Sequence, residues 1–160
     1  MAEMTLYREL AQLMGAGESK FVPLIFEELV DDDEARLLLA ASPPATVEEL
    51  AEKTGMGEEK IKGMIDPLFK KGLLFKSKKE TGTRYYCVRN VLQMHDATAV
   101  APDASKRMLD LWKEFTSEEF DGFMRKVEEV LPSPAIRVIP INVTIEARSK
   151  ILAFIKNHRL

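Results

Sequence analysis

Residues 46–88 read TVEELAEKTGMGEEKIKGMIDPLFKKGLLFKSKKETGTRYYCV, and the order of signals in this stretch decides the fold. Thr46 and Glu49 have the Thr-x-x-Glu spacing of a capping box, in which hydroxyl and carboxylate each satisfy a backbone N–H at a helix start. The helix predicted from Val47 to Lys53 turns Val47, Leu50 and Ala51 inward, and Thr54-Gly55 closes it. Only Met56 and Gly57 separate that closure from Ile61, Met64, Ile65 and Leu68, which recur at helical spacing, so two helices must cross sharply. Pro67 lies inside the second helix, where its ring crowds the carbonyl of Gly63, and a kink or early end is expected there. Lys71-Gly72 is a helix stop. Leu73-Leu74-Phe75 then runs extended to a turn at Glu80-Thr81-Gly82-Thr83 and returns through Arg84 to Val88 as a β-hairpin.

Outward from this stretch, Leu6, Leu10, Leu13 and Met14 mark a short amphipathic helix starting at Thr5 and stopped by Gly15-Ala16-Gly17. An apolar segment follows from Phe21 to Val30, and Asp31, Asp32 and Asp33 then cap a helix from Glu34 to Ala41 that ends at Ser42-Pro43-Pro44. Helix, capped helix, tight turn, helix and charged hairpin are the elements of a winged helix-turn-helix, matched from Phe21 to Asn90. Beyond Pro102 two helices are expected. The first, Ser105 to Phe115, turns Met108, Leu109, Leu111 and Trp112 inward; the second, Ser117 to Leu131, opens on a capping box of Thr116 and Glu119. Ile139, Ile141, Val143 and Ile145 alternate with Val138, Pro140, Asn142 and Thr144, the pattern of an edge strand or extended arm, and a helix from Ala147 to His158 follows. The predicted class is mainly α with a small β-hairpin: an N-terminal helix (1–20), a winged helix-turn-helix domain (21–96), a helical segment (97–135), and an arm with a terminal helix (136–160).

Composition narrows the function classes. The chain has 160 residues, 46% of them apolar and 31% charged, enough to bury one core. Its longest uncharged stretch, Leu37 to Val47, contains two prolines and falls far short of the roughly 20 residues a membrane span needs. Without a secretory pattern at the N-terminus, a cytoplasmic protein with no membrane partner is expected. Cys87 is the only cysteine, so an intramolecular disulfide and a cysteine-only metal or iron–sulfur site are excluded. A buried structural role fits it best. His95 and His158 are the only imidazoles, and neither has ligand spacing. His95-Asp96 lacks a marked nucleophile or metal beside it, and Trp112 reads as core or as the wall of a pocket or dimer seam. The glycines are scattered as turns and stops rather than gathered into a phosphate loop, so the reading is non-enzymatic, with no cofactor and no metal held by this chain.

Net charge is −3, but its distribution is uneven. From Asp31 to Glu59 nine acids face two basic residues, whereas from Lys60 to Arg84 eight basic residues face two acids. Lys76, Lys78, Lys79 and Arg84 sit on or beside the hairpin tip and Lys60 and Lys62 on the second motif helix, where a duplex backbone could be gripped. These six are the candidate nucleic-acid-binding residues. Against that reading, Glu58 and Glu59 open the same helix, where carboxylates repel phosphate; the alternative is that they complement the helix dipole while the lysines keep an exposed hairpin solvated.

Two segments together, Glu28 to Asp96 with Lys70-Lys71-Gly72-Leu73-Leu74, and Arg137-Val138-Ile139-Pro140-Ile141-Asn142, resemble the N-terminal region of ferredoxin-type 4Fe-4S proteins. The Lys-Lys-Gly-Leu segment is also shared with MarR-like and ArsR-like winged helices. The first resemblance implies an accessory region that docks a protein or a nucleic acid and leads into a cluster-binding half, on which the helix Ala147 to His158 would rest. No Cys-x-x-Cys-x-x-Cys run is present, so 4Fe-4S binding is carried to no residue here and would belong to that other half. The second implies a stand-alone transcriptional regulator, a homodimer through the helices after Pro102, with DNA as its partner.

Overall fold

The computed structural model describes residues 5–80 and 82–130. The chain divides into two units, Met1–Phe123 and Met124–Leu160. The arm expected over 138–145 and the helix expected over 147–158 lie outside the described residues.

Eight helices and one hairpin are described: α1 (Leu6–Leu13), α2 (Val22–Leu29), α3 (Asp32–Ala40), α4 (Val47–Thr54), α5 (Glu58–Lys70), β1 (Leu74–Lys79), β2 (Gly82–Cys87), α6 (Val91–Thr98), α7 (Lys106–Glu118) and α8 (Phe120–Val130). The protein is thus mainly helical with a two-stranded antiparallel sheet. Both capping boxes of the central region form. Glu34 N–H donates to Asp31 Oδ1 at 2.8 Å and Glu49 N–H to Thr46 Oγ1 at 3.3 Å, while each glutamate carboxylate accepts from the N-cap N–H. Gly55 ends α4 at φ +70°, a left-handed conformation that favours a residue without a side chain.

Helix α1 packs on α2 and α3, α3 on α4 and α5, and α2 on α7. Their facing residues form one continuous apolar cluster in which Leu10, Ile25, Phe26, Leu37, Leu38, Leu50, Ile61, Leu68 and Met94 are fully buried. Each such side chain contributes about 2 kcal/mol relative to exposure. The hairpin pairs Leu74 with Cys87, Phe75 with Tyr86, Lys76 with Tyr85, Ser77 with Arg84, Lys78 with Thr83 and Lys79 with Gly82. On the other side of β2, Ala45 forms a bridge with Tyr85 through two backbone bonds, Ala45 N–H to Tyr85 O at 2.9 Å and Tyr85 N–H to Ala45 O at 2.8 Å. The loop before α4 therefore adds a one-residue third strand that the sequence reading does not include.

Several local expectations are corrected. Helix α5 does not end early at Pro67 but continues to Lys70, and the Lys71 N–H donates back to Pro67 O at 3.0 Å. Leu109 does not point inward; it is 41% exposed, while Phe115 joins Met108, Leu111 and Trp112 in the core. Thr116 and Glu119 form no capping box, because α7 runs on through Glu118 and Thr116 Oγ1 donates to Trp112 O at 2.8 Å. Glu119 instead reaches across the chain, accepting from Ser19 Oγ at 2.5 Å and from Lys20 N–H at 2.9 Å. Helix α6 was absent from the sequence reading; Asn90 Oδ1 caps it by accepting from Gln93 N–H at 2.8 Å, and it buries Val91, Met94 and Thr98.

Candidate functional site

The six candidate cations are distributed over three places. Lys60 and Lys62 occupy the first turns of α5, Lys76 and Lys78 are exposed on β1, and Arg84 lies on β2 beside the start of α4. The backbone of Lys79 pairs with Gly82 at the hairpin closure.

Three of the six are held by carboxylates of the chain itself. Lys60 Nζ hydrogen-bonds to Asp33 on α3, a contact that also draws the Asp33 carboxyl below its ordinary range. Lys62 Nζ lies 3.0 Å from Glu59 and 3.3 Å from Glu58, so the two glutamates that open α5 share one lysine a turn later. Arg84 makes a bidentate pair with Glu49 at 2.9 and 3.0 Å and donates to Pro44 O at 2.9 Å. A fourth basic residue of the same run, Lys71, donates to both oxygens of Glu34 at 3.0 and 2.9 Å and to Leu29 O at 2.8 Å. Half of the eight bases over 60–84 are thus paired with acids over 31–59: Lys60, Lys71 and Arg84 link α5 to α3 and β2 to α4, and Lys62 pairs within α5. Such pairs on a surface are worth only about 0–1 kcal/mol each, but they fix where the charges point.

Lys76 and Lys78 are different. Neither has a carboxylate partner among the described residues, and the Lys76 ammonium lies 5.7 Å from the centre of the Phe69 ring. Phe69 is 49% exposed. Its ring meets Phe75 edge-on at 6.3 Å, Phe75 stacks on Tyr86 at 5.7 Å, and the Arg89 guanidinium covers Tyr86 at 4.8 Å. Phe69, Phe75 and Ile65 with Asp66 and Lys76 line a shallow notch between the second half of α5 and β1. The sequence reading missed this aromatic surface. The signal was there: Phe75 and Tyr86 are opposed when the hairpin is closed over Glu80-Thr81, and Phe69 is one position beyond the buried Leu68 on α5.

Cys87 is buried, and burial pushes its thiol up to about 12, which keeps it protonated and unreactive at neutral pH. His95 hydrogen-bonds Asp96 at 3.2 Å and stacks edge-on against Trp112 at 4.9 Å, while Trp112 Nε1 donates to Thr98 Oγ1 at 3.0 Å. The tryptophan is core, with its polar atom satisfied. Among the described residues no three of His, Cys, Asp and Glu converge as metal ligands. A cluster of the 4Fe-4S type does not fit the donors that these residues offer, with one thiol and that one buried. No helix of the described residues is long and apolar enough to cross a membrane.

No family model matches the chain, and no curated protein does. Among solved structures, one described as "Crystal structure of RV1404 from Mycobacterium tuberculosis" aligns with a TM-score of 0.36 and 16% identity over 93% of this chain and 86% of that chain. That likeness is too loose to fix a fold or a function.

Proposed function

We propose that the chain is a non-enzymatic winged-helix module that docks a protein through α5 and the hairpin, in the setting of a ferredoxin-type iron–sulfur protein whose clusters lie outside these 160 residues. The order α3, Ala45 bridge, α4, α5, β1, β2 supports the winged-helix part, since the bridge supplies the short strand that joins the first two helices of such a motif to its hairpin. The sequence resemblance supports the setting. The observation that carries protein over nucleic acid is the pairing of Lys60, Lys62 and Arg84 with internal carboxylates, next to an open aromatic surface at Phe69, Phe75 and Tyr86. Buried cores of protein interfaces are rich in aromatics, whereas duplex binding depends on cations free to replace counterions.

A second reading, a DNA-binding regulator of MarR-like or ArsR-like type acting as a homodimer, is favoured by Lys76 and Lys78, which project from the hairpin without carboxylate partners among the described residues. Fluorescence anisotropy with labelled duplex DNA separates the two. A protein making six phosphate contacts loses about a thousandfold in affinity between about 50 and about 200 mM salt. The docking account expects weak binding with a shallow salt response; tight binding that collapses over this range makes the regulator reading the correct one.

A further inference from the structure

Among the described residues the hairpin has one unpaired edge. Tyr85 directs both its N–H and its C=O to Ala45, so it cannot also bond across to Lys76, its partner in the register. Lys76–Tyr85 is therefore a non-hydrogen-bonded pair of the antiparallel ladder, and by alternation so is Lys78–Thr83. The backbone N–H and C=O of Lys76 and Lys78 consequently point away from β2, and none of them has a partner among the described residues. This open edge adjoins the notch whose wall is the half-exposed Phe69 ring.

Resting on the protein-docking reading above, we infer that β1 accepts an extended acidic peptide segment as an added strand, with an apolar or aromatic side chain of that segment seated against Phe69 and its carboxylates facing Lys76 and Lys78. Charge selects the occupant. A second copy of β1 laid edge to edge would bring Lys76 and Lys78 against their own kind, so pairing between copies is opposed across this edge. Lysines on an edge strand discourage indiscriminate strand addition while leaving the edge accessible to a partner that neutralises them. Asp66, which also lines the notch, disfavours a second carboxylate at the Phe69 position and favours an apolar residue there. Main-chain bonds thus supply the register, Phe69 the anchor, and the two lysines the sign of charge.

The test uses the full chain and a fluorescein-labelled peptide that alternates glutamate with valine and carries one central phenylalanine. Expected is saturable binding that falls at least tenfold for Lys76→Glu/Lys78→Glu, and at least tenfold for Phe69→Ser, with the far-ultraviolet circular dichroism of both variants unchanged. A version of the peptide N-methylated at alternate residues, which cannot pair along one edge, should lose binding on one methylation phase and keep it on the other. If the peptide binds with both methylation phases tolerated, protein docking stands and strand addition is overturned. If the peptide does not bind, the inference is overturned, and duplex DNA bound steeply with salt by the same samples overturns the docking reading beneath it.

Discussion

Glu49 serves two contacts at once: it closes the capping box of α4 and receives the fork of Arg84 from β2. Its carboxyl lies below the ordinary value of 4.5, first because the Thr46 backbone N–H donates to it and then because Arg84 does. The stability it lends is complete above the ordinary value and is lost as pH falls through the lower, folded one. Urea midpoints should therefore drop on acidification below about pH 4.5, and less so in Glu49→Gln, which can still cap but no longer titrates. Thr46→Ala should cost about 1 kcal/mol in the same assay at neutral pH, since it removes the hydroxyl acceptor of the cap. Cys87 gives a second residue-scale readout. With the thiol buried and raised to about 12, a disulfide-exchange reagent should modify it only at the rate at which urea unfolds the chain; rapid labelling of the native protein would mean the strand end is open. The capping box of Thr46 and Glu49 could be read from the sequence because it spans four consecutive residues, and at Asp31 the N-cap was legible although its reciprocal bond with Glu34 was not part of the reading. The partners of Lys60, Lys71 and Arg84 could not, since they are 27, 37 and 35 positions away and depend on how α3, α4, α5 and β2 pack.

At the scale of elements, the junction between α5 and β1 rests on Gly72. It has φ +70°, and a Cβ built on it would overlap the Cβ of Ala97 on α6. Gly72→Ala should destabilise the protein by about 2–5 kcal/mol, combining a left-handed backbone penalty of about 1–2 kcal/mol with overpacking of about 1–3 kcal/mol. Ala97→Gly in the same chain should recover the overpacking part and leave the backbone part, a split that thermal unfolding can measure. Pro67 forgoes one backbone bond inside α5, so Pro67→Ala should stabilise by up to about 3 kcal/mol if Gly63 O is free to accept. Helix periodicity made α1, α3, α4 and α5 legible. It failed at Thr116–Glu119, where a correct spacing for a cap sat inside a helix that simply continued, held by the burial of Trp112 and Phe115. Helix α6 has only Val91 and Met94 as apolar anchors, too few for a period to stand out, although Val91, Met94 and Thr98 do share one buried face.

At the scale of the molecule, the uneven charge of the sequence does not become a basic surface of the same size. Half of the bases over 60–84 pair with acids over 31–59, and the aromatic surface at α5 and the hairpin is edged by Lys76 and Lys78. Sequence reading found the cations and could not find their destinations, because charge counts carry no information about which side chains fold together. The central claim is that internal carboxylates withhold the helix cations from nucleic acid. Its most direct test is duplex DNA affinity at low salt for the parent chain and for Asp33→Asn/Glu58→Gln/Glu59→Gln, which releases Lys60 and Lys62. The account predicts weak binding by the parent, at least tenfold tighter binding by the variant, and loss of that gain when Lys60→Ala and Lys62→Ala are added. Tight, steeply salt-dependent binding by the parent, unchanged in the variant, would contradict it.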